Sequence, residues 1–415
     1  MSGERGRRAL ITGLGAITPS GLDLAATWAS VVEGRSGIRA LESVDVADLA
    51  VKVGGEVRGF DPLAHVSRSD ARRLDRHALF AIAAAAEALD GFVAADPARF
   101  GITAATGSGA VSLTHEAVRA LDAQGPRRVP PGVVLYGGAD GAAAYLSQRH
   151  GARGASAGVS ATCASGAVGL GEALRTIRHG YADAVLVVGA DDCINRVNLG
   201  VNATLGSLAA GYADDPAAAS RPFDRARSGF VMAAGAVAVL VESEEHARRR
   251  GATVLGELAG YGATSDAFHA TAPRPDGSGA AAAMRAALDD ARLGPADIDH
   301  VNAHGTGTPL NDAMEATALA TVFGSSLAAV PVTSTKSTTG HLLGAAGTLE
   351  AALSLMALRD GVIPPTINLD DPEFPQLDVV AGAAREAPLR TVLSNSFGFG
   401  GHNAALVLRA PSLIE

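Results

Sequence analysis

Strand-like and helix-like segments alternate along the whole chain, and this alternation limits the possible folds more than any other feature. Asp183 to Gly189 is a continuous apolar run, as expected of a strand that is covered on both faces. Ala78 to Leu89 is rich in alanine and predicts a helix. The other predicted strands are Arg8 to Ile11, Val231 to Glu242 and Asp299 to Ala303, and the other predicted helices are Ala280 to Ala291 and Ala345 to Leu358. The pattern favours an α/β class with layered sheets.

The chain of 415 residues is long enough for two or three domains, or for one large duplicated fold. The charged segment Glu242 to Arg250 leads into Gly251, and a new strand is predicted from Thr253. We therefore predict two halves, residues 1–251 and 252–415. The sequence contains no short-period repeat and does not by itself establish a duplication.

Composition excludes several classes of function. A net charge of −9 does not suggest nucleic-acid binding. The presence of only two cysteines fits a reducing compartment and makes disulfide frameworks and cysteine-rich metal sites poor explanations. Residues 1–5 do not begin a convincing signal peptide, and the apolar run from Phe230 to Val241 is too short to span a bilayer. We expect a cytoplasmic protein with no membrane or nucleic-acid partner.

Cys163 lies where a strand-like run ends, small residues form a turn and a helix begins. One face of that helix is apolar at Ala167, Leu170, Leu174 and Ile177, before Gly180. A thiol at a helix N-terminus is predicted to favour the thiolate, which is the nucleophile of acyl transfer. Alternatively, Cys163 is a small core residue, and its setting alone leaves the two interpretations about equal. We interpret Cys193, just after a buried strand, as a core residue.

Two histidines lie in polar loops. His304 follows a predicted strand, where open α/β sheets bind ligands, and His341 lies at the start of a predicted helix. His304 is surrounded by glycine and threonine, and His341 follows Lys336 and precedes a helix. A loop or capping role is the default for either histidine taken alone. Glu350 occupies a half-buried position of that helix and needs a cation, for which Lys336 is the candidate.

The segment from Asn395 to Asn403 is a glycine-rich loop with two phenylalanines. It is either a tight turn between strands or a loop of backbone N–H donors with an aromatic gate. A cysteine, two histidines, a lysine and a donor loop together indicate acyl transfer from a thioester. Neither a metal-ligand spacing nor a P-loop nor a convincing dinucleotide motif is present in the sequence.

These motifs, in this order, strongly resemble the β-ketoacyl-ACP synthases of the synthase II type, in the thiolase superfamily. The resemblance extends from Leu10 to Gly401. It implies an α/β thiolase-like duplicated fold in five layers (α-β-α-β-α), usually assembled as a dimer. It also implies an acyl carrier protein as partner, with phosphopantetheine arriving on that carrier and no cofactor or metal bound to the enzyme.

The resemblance also assigns roles at the reaction centre. Cys163 would accept the acyl chain, and His304 and His341 would bind the thioester carbonyl of malonyl-ACP and stabilise the enolate formed as CO2 leaves. Lys336, paired with Glu350, would maintain the electrostatics around His341. The oxyanion hole would consist of the backbone N–H groups of Phe399 and Cys163. Phe399 would also act as a gate, and Gly400 belongs to the same loop.

Further positions match substrate contacts of the family. Thr271, Thr306 and Thr308 correspond to residues that contact phosphopantetheine, and Phe397 belongs to the same substrate site. Ala110 stands where fatty-acid enzymes often carry a bulky residue, which implies a more open acyl pocket. A basic cluster, defined as Arg68, Arg72 and Arg73 with the neighbouring Arg76, is either a docking patch for an acidic carrier protein or a solvated helix face.

The sequence departs from the family pattern in two segments. Ala233-Ala234-Gly235-Ala236 replaces a motif that usually contains an acidic residue, and Val134 to Ala144 matches poorly. The first departure, with Ala110, favours a discrete ketosynthase of a type II polyketide or polyene pathway over fatty-acid elongation.

Other functions stay open. A non-catalytic chain-length subunit would generally lack the cysteine, and a thiolase-like enzyme would not decarboxylate its substrate. The chain is expected to form a homodimer, or a heterodimer with a ketosynthase-like chain-length subunit.

Overall fold

The computed structural model describes residues 7–413, so residues 1–5, considered above for a signal peptide, lie outside it. The strands are β1 Ala9–Ile17, β2 Arg39–Ala40, β3 Val53–Gly54, β4 Phe100–Ala105, β5 Ser156–Val159, β6 Ala184–Asp191, β7 Gly235–Ser243, β8 Gly256–Ser265, β9 His300–Asn302, β10 Pro331–Thr333, β11 Val362–Ile363, β12 Asp378–Val379, β13 Arg385–Glu386, β14 Thr391–Gly398 and β15 His402–Arg409. The α-helices are α1 Leu24–Val32, α2 Arg68–Ala71, α3 Arg76–Ala88, α4 Val111–Gln124, α5 Gly132–Tyr136, α6 Gly141–His150, α7 Ser165–Arg178, α8 Arg196–Thr204, α9 Glu244–Arg249, α10 Ser278–Ala291, α11 Pro309–Phe323, α12 Lys336–Thr339 and α13 Ala346–Asp360.

The main sheet consists of two five-stranded parts with the same internal order. The N-terminal part runs β5-β4-β6-β7-β1, and the C-terminal part runs β10-β9-β14-β15-β8, with β12 added at its edge. The first three strands of each part are parallel and the last two are antiparallel to their neighbours. The parts meet where β1 pairs with β8. Strand order and direction therefore repeat, as a duplicated fold requires.

Helices and sheet parts form five layers. The central layer is α7 with α13, which contact each other and strands of both sheet parts. The outer helix α3 covers β1, β6 and β7, and on the other side α10 covers β8 and β15 and packs against α11. Three separate apolar cores fill the spaces between these layers. The predicted fold class, an α/β thiolase-like fold in five layers, is confirmed by this arrangement together with the structural relatives described below.

The first strand is longer than the sequence pattern predicts. The prediction was Arg8 to Ile11, but β1 continues to Ile17 through Gly13 and Gly15. These glycines do not break the strand. They are required within it, because a Cβ atom at either position would collide with a carbonyl of α3. The missing side chains let α3 lie directly on β1.

The strand predicted from Val231 begins only at Gly235. The four residues before it pair instead with two other segments: the backbone of Ala233 pairs with Gly55, and that of Met232 pairs with His341. The strand predicted from Thr253 begins at Gly256, and the boundary predicted at residue 251 falls just after α9, where it stays a prediction.

None of the helices in residues 7–413 is long and apolar enough to cross a membrane.

Candidate active site

The duplicated topology brings the two halves of the chain together around one cavity of about 330 Å³. Cys163 lies in the connection from β5 to α7, and His341 lies in the corresponding connection from β10 to α13. His304 follows β9, and Phe399 follows β14. Of the residues that the sequence singles out, the cavity is lined by Cys163, Thr271, His304, Thr306, Thr308, His341, Phe397 and Phe399.

The turn that carries the thiol is strained and is held by hydrogen bonds. Thr162 has a φ of +49°, a conformation that costs a residue with a side chain about 1 to 2 kcal/mol. Its hydroxyl donates to the carbonyl of Phe399 at 2.9 Å. The Ser165 hydroxyl donates to the carbonyl of Thr162 at 2.6 Å and accepts from the N–H of Ala161 at 2.8 Å. These bonds fix Cys163 against the glycine-rich loop.

The protonation state of Cys163 differs from the prediction. Burial raises the pKa of the thiol to about 12, and the Asp191 carboxylate adds to the rise. The charge of Lys336 and the backbone N–H groups of Phe399 and Cys163 oppose it without overcoming it. The expectation that the helix N-terminus favours the thiolate is therefore wrong for the free enzyme. Cys163 precedes the first helical residue by two positions, and desolvation deep in the cavity dominates.

The two histidines form a neutral pair. The ring centroids of His304 and His341 are 5.3 Å apart, with the rings nearly perpendicular at 82°. Phe397 packs against His304, and Phe230 packs against His341. Burial and the nearby charge of Lys336 hold the pKa of both imidazoles well below the ordinary value. The Nδ1 atoms of both rings, and Nε2 of His341, have no hydrogen-bond partner among residues 7–413. Two uncharged rings therefore have N–H groups and lone pairs available for a substrate.

A glutamate that the sequence analysis missed fixes the backbone of His304. Glu315, on α11, is fully buried and accepts from the N–H groups of His304 at 2.9 Å and Gly305 at 2.7 Å. The side-chain amide of Asn395 also donates to it at 3.1 Å. Burial raises the pKa of Glu315 to about 7, against these hydrogen bonds. An acidic residue nearly two turns into the helix that follows a glycine-rich loop was the available signal.

The segment before β7 fixes the backbone of His341. The N–H of His341 donates to the carbonyl of Val231 at 2.7 Å, and the N–H of Ala233 donates to the carbonyl of His341 at 3.0 Å. Gly340 has a φ of +71° and lies close to Ala233. Ala233 thus acts here through its backbone and its small size.

Lys336 and Glu350 lie in direct contact, and both are fully buried. The ammonium group also donates to the carbonyl of His304 at 2.5 Å. Burial raises the pKa of Glu350 to about 7, although the charge of Lys336 opposes the rise. The pair joins α12, α13 and the His304 loop under the cavity.

The threonines at the cavity mouth are organised by a second buried acid, Asp312. Its carboxylate accepts from the N–H groups of Thr306 at 3.1 Å and Gly307 at 3.3 Å. The hydroxyls of Thr306 and Thr308 are 3.0 Å apart. These hydroxyls and that of Thr271 offer uncharged donors and acceptors along the wall of the cavity.

Other predicted site residues do not line the cavity. Gly400 has a φ of +86° and its N–H donates to the carbonyl of Ala270 at 2.7 Å, so it shapes the loop behind Phe399. Ala110 is buried at the start of α4. Arg68, Arg72 and Arg73 are exposed on and after α2 and form no ion pair with residues 7–413.

Among residues 7–413, no group of three or more histidine, cysteine, aspartate or glutamate residues could hold a metal ion.

Comparison with known proteins gives consistent results over the whole chain. The family model for the N-terminal domain of β-ketoacyl synthases matches residues 7–247, and the model for the C-terminal domain matches residues 255–370. The 3-oxoacyl-(acyl-carrier-protein) synthase 2 of Staphylococcus aureus (strain COL) is 39% identical, over 98% of this chain and 99% of that protein.

Solved structures give the same result. One is a type II polyketide synthase acyl-carrier protein in complex with its ketosynthase bound to the hexaketide, matched with a TM-score of 0.89 and 30% identity over 98% of this chain and 100% of that one. Another is the ishigamide ketosynthase/chain length factor, matched with a TM-score of 0.89 and 32% identity over 98% and 99%.

Proposed function

The chain belongs to the β-ketoacyl synthase family, and from this premise we propose that it condenses an acyl group held on Cys163 with malonyl-ACP, giving 3-ketoacyl-ACP and CO2. The observation that carries the proposal is the meeting of Cys163, His304, His341 and the loop of Phe399 in one cavity. A covalent acceptor, two neutral imidazoles and backbone donors are what a two-step thioester condensation needs.

In the first step, Cys163 attacks the thioester carbonyl of an acyl carrier protein. The C–S bond to the carrier breaks, and the carrier thiol leaves with a proton. Because the pKa of Cys163 is raised, its proton must move during this step, and the neutral imidazoles of the cavity are groups that can accept it. The N–H groups of Phe399 and Cys163, which already interact with the sulfur, stabilise the oxyanion.

In the second step, malonyl-ACP enters the same cavity. Its carboxylate leaves as CO2, and the electron pair of the broken C–C bond forms an enolate on the thioester. N–H groups of His304 and His341 stabilise the negative oxygen. The enolate carbon then attacks the acyl-Cys163 carbonyl, the C–S bond to Cys163 breaks, and the released thiolate takes up a proton from solvent to restore the thiol. Neutral rings suit this step because they donate hydrogen bonds in a dry site and do not protonate the enolate carbon.

Carrier-bound substrates require a route into the cavity and a docking surface. Thr271, Thr306 and Thr308 lie on the cavity wall and are suited to hydrogen-bond the phosphopantetheine arm, which the carrier supplies. The basic cluster on and after α2 is exposed, and its positive charge complements an acidic carrier protein.

A second subunit is proposed from an unpaired sheet edge. β5 forms the edge of the N-terminal sheet part, and Ser156, Ala157 and Gly158 are exposed. Val134 and Leu135 of α5 are 90% and 57% exposed. An open strand edge and exposed apolar side chains favour pairing with another chain, either identical or a ketosynthase-like chain-length subunit.

For the pathway, we propose a discrete ketosynthase of a type II polyketide or polyene system. The structural relatives support this assignment, whereas the curated relatives, named 3-oxoacyl-(acyl-carrier-protein) synthase 2, favour the alternative of fatty-acid elongation. A non-catalytic chain-length subunit is opposed by the combined presence of Cys163, His304 and His341.

The proposal is tested by intact-protein mass spectrometry after incubation with a panel of acyl carrier proteins that carry saturated or polyunsaturated chains. We expect a mass increase equal to the acyl group, which disappears in Cys163→Ala. Preferential loading of polyunsaturated chains would support the polyketide or polyene assignment, and preferential loading of saturated chains would support elongation. Absence of any adduct, alone and with a co-purified partner subunit, would refute the proposal.

A further inference from the structure

Asp191, at the end of β6, is a fully buried carboxylate that collects hydrogen bonds from both halves of the chain. Oδ1 accepts from the Thr106 hydroxyl at 2.6 Å and from the N–H of Ser108 at 3.1 Å. Oδ2 accepts from the N–H groups of Gly107 at 2.8 Å and Gly344 at 2.6 Å. Each lone-pair site of the carboxylate is therefore used.

These bonds join the loop after β4 to the loop that carries His341. Gly344 lies three positions beyond His341, and Leu343 between them has a strained φ of +50°. Gly344 packs so closely on Gly107 that a Cβ atom at Gly344 would collide with the Gly107 nitrogen and with Asp191. Asp191 thus holds the His341 turn against the N-terminal half at a point where no side chain fits.

The same carboxylate is linked to the Cys163 turn. Thr106, which donates to Asp191 through its hydroxyl, accepts from the Ser165 hydroxyl through its carbonyl at 3.1 Å. The same hydroxyl hydrogen is shared with the carbonyl of Thr162 at 2.6 Å, and Thr162 is the strained residue before Cys163. One chain of hydrogen bonds therefore runs from the His341 turn through Asp191 to the nucleophile.

No arginine or lysine in residues 7–413 forms an ion pair with Asp191; the cation that acts on it from a distance is His77, which pairs with Asp75. Burial raises the pKa of Asp191, and the hydrogen bonds from Thr106, Gly107 and Gly344 oppose the rise together with the charge of His77. An isolated buried carboxylate is costly unless such donors surround it, so this arrangement needs a reason beyond apolar packing.

We propose that Asp191 is a positioning residue, which holds the Cys163 turn and the His341 turn at a fixed separation for the condensation step. The inference rests on the proposed function, because a fixed separation matters only when the acyl-cysteine and the enolate react with each other. Acyl loading needs the Cys163 turn and one imidazole to accept the thiol proton, for which His304, outside the His341 turn, suffices. Decarboxylation needs the histidines without the thiol, so only condensation needs both turns at once.

The test compares Asp191→Ala, Asp191→Asn and the control Asp192→Asn. Asp192 is the adjacent buried carboxylate, but it faces Arg76 at 3.7 Å and makes no side-chain hydrogen bond to the loops named above. An asparagine at 191 can still accept from Gly107 and Gly344 through its oxygen, while its amide faces the Thr106 hydroxyl and the N–H of Ser108, from which it cannot accept. Three rates are measured for each variant: acyl loading by mass spectrometry, CO2 release from malonyl-ACP without an acyl donor, and formation of 3-ketoacyl-ACP.

We expect Asp191→Ala to lose at least tenfold more in condensation than in either partial reaction, with KM for malonyl-ACP nearly unchanged. Asp191→Asn should lie between Asp191→Ala and the unaltered chain, and Asp192→Asn should stay within about twofold of the unaltered chain. Equal losses in all three rates, or condensation within twofold of normal in both Asp191 variants, would overturn the inference. If Asp191→Ala does not fold, Asp191→Asn alone decides by the same ratio.

Failure of the proposed function gives a different result. In that case the unaltered chain itself forms no acyl adduct and no 3-ketoacyl-ACP, whatever residue stands at position 191.

Discussion

Gly398 lies beside the nucleophile turn, and replacing it with alanine is a small change with a calculable effect. A Cβ atom at this position would lie 2.9 Å from the carbonyl oxygen of Ala161, 3.2 Å from the nitrogen of Cys163, and closer still to the hydroxyl of Thr162. These neighbours are a backbone already held in a strained turn and a hydroxyl already bonded to Phe399. The added methyl must displace the turn or the loop of Phe399.

The cost of Gly398→Ala follows from these contacts. Overpacking of this kind costs about 1 to 3 kcal/mol. Loss of the Thr162 hydrogen bond adds about 1 kcal/mol. The free energy of unfolding should therefore fall by about 2 to 4 kcal/mol. Because Phe399 follows directly, its N–H is displaced from the cysteine, and loss of one oxyanion donor lowers kcat by about 100- to 1000-fold.

The assay measures kcat for 3-ketoacyl-ACP formation and the denaturant midpoint of the same preparations. Gly200→Ala, on α8, is the matched control because no atom lies within 4 Å of the added Cβ. It should retain activity and gain up to about 1 kcal/mol of stability from helix propensity. A Gly398→Ala variant with kcat within threefold of normal would show that the turn and loop are not packed as the structure has them.

Three further predictions concern charge. The raised pKa of Cys163 means that its thiol stays protonated at pH 7 to 9, so the rate of iodoacetamide alkylation should rise by about tenfold per pH unit up to pH 10; a plateau near pH 7 would contradict this. Glu350→Gln leaves Lys336 buried without a counter-charge and should lower the free energy of unfolding by about 3 to 5 kcal/mol, whereas the double change Lys336→Met with Glu350→Leu should cost much less in urea titrations. Replacement of the three exposed arginines of the basic cluster (Arg68, Arg72 and Arg73) with glutamate should raise KM for carrier-bound substrate by about tenfold at low salt, with kcat at saturation unchanged; an unchanged KM would assign the cluster to a solvated helix face.

The sequence predicts the regular parts of the fold well because they follow periodicity. The apolar face of α7 is buried, and β6 is buried along its whole length. The end of β1 and the start of β7 are not predicted correctly. Gly13 and Gly15 resemble strand breakers but serve close packing within β1, and backbone pairing with His341 replaces a regular strand at Val231 to Ala234.

The sequence reveals the residue types of the site, but it reveals much less about their hydrogen-bond partners and their protonation states. The motif positions that line the cavity come from five separate segments of the chain, and their ordered resemblance to one family identifies them. Asp191 and Glu315 are not found this way, because no local pattern in the sequence shows that an acid accepts hydrogen bonds from the backbone of distant loops. The direction of the Cys163 pKa also depends on burial, which no local pattern reports.

The central claim is that one cavity both holds an acyl-cysteine and decarboxylates a malonyl thioester. The most direct measurement is simultaneous detection of released labelled CO2 and of 3-ketoacyl-ACP when the acyl-loaded enzyme receives labelled malonyl-ACP. We predict equal amounts of CO2 and condensation product, with both lost in His304→Ala and His341→Ala while the acyl adduct on Cys163 remains. A condensation product formed without CO2 release, or normal CO2 release in both histidine variants, would contradict the claim.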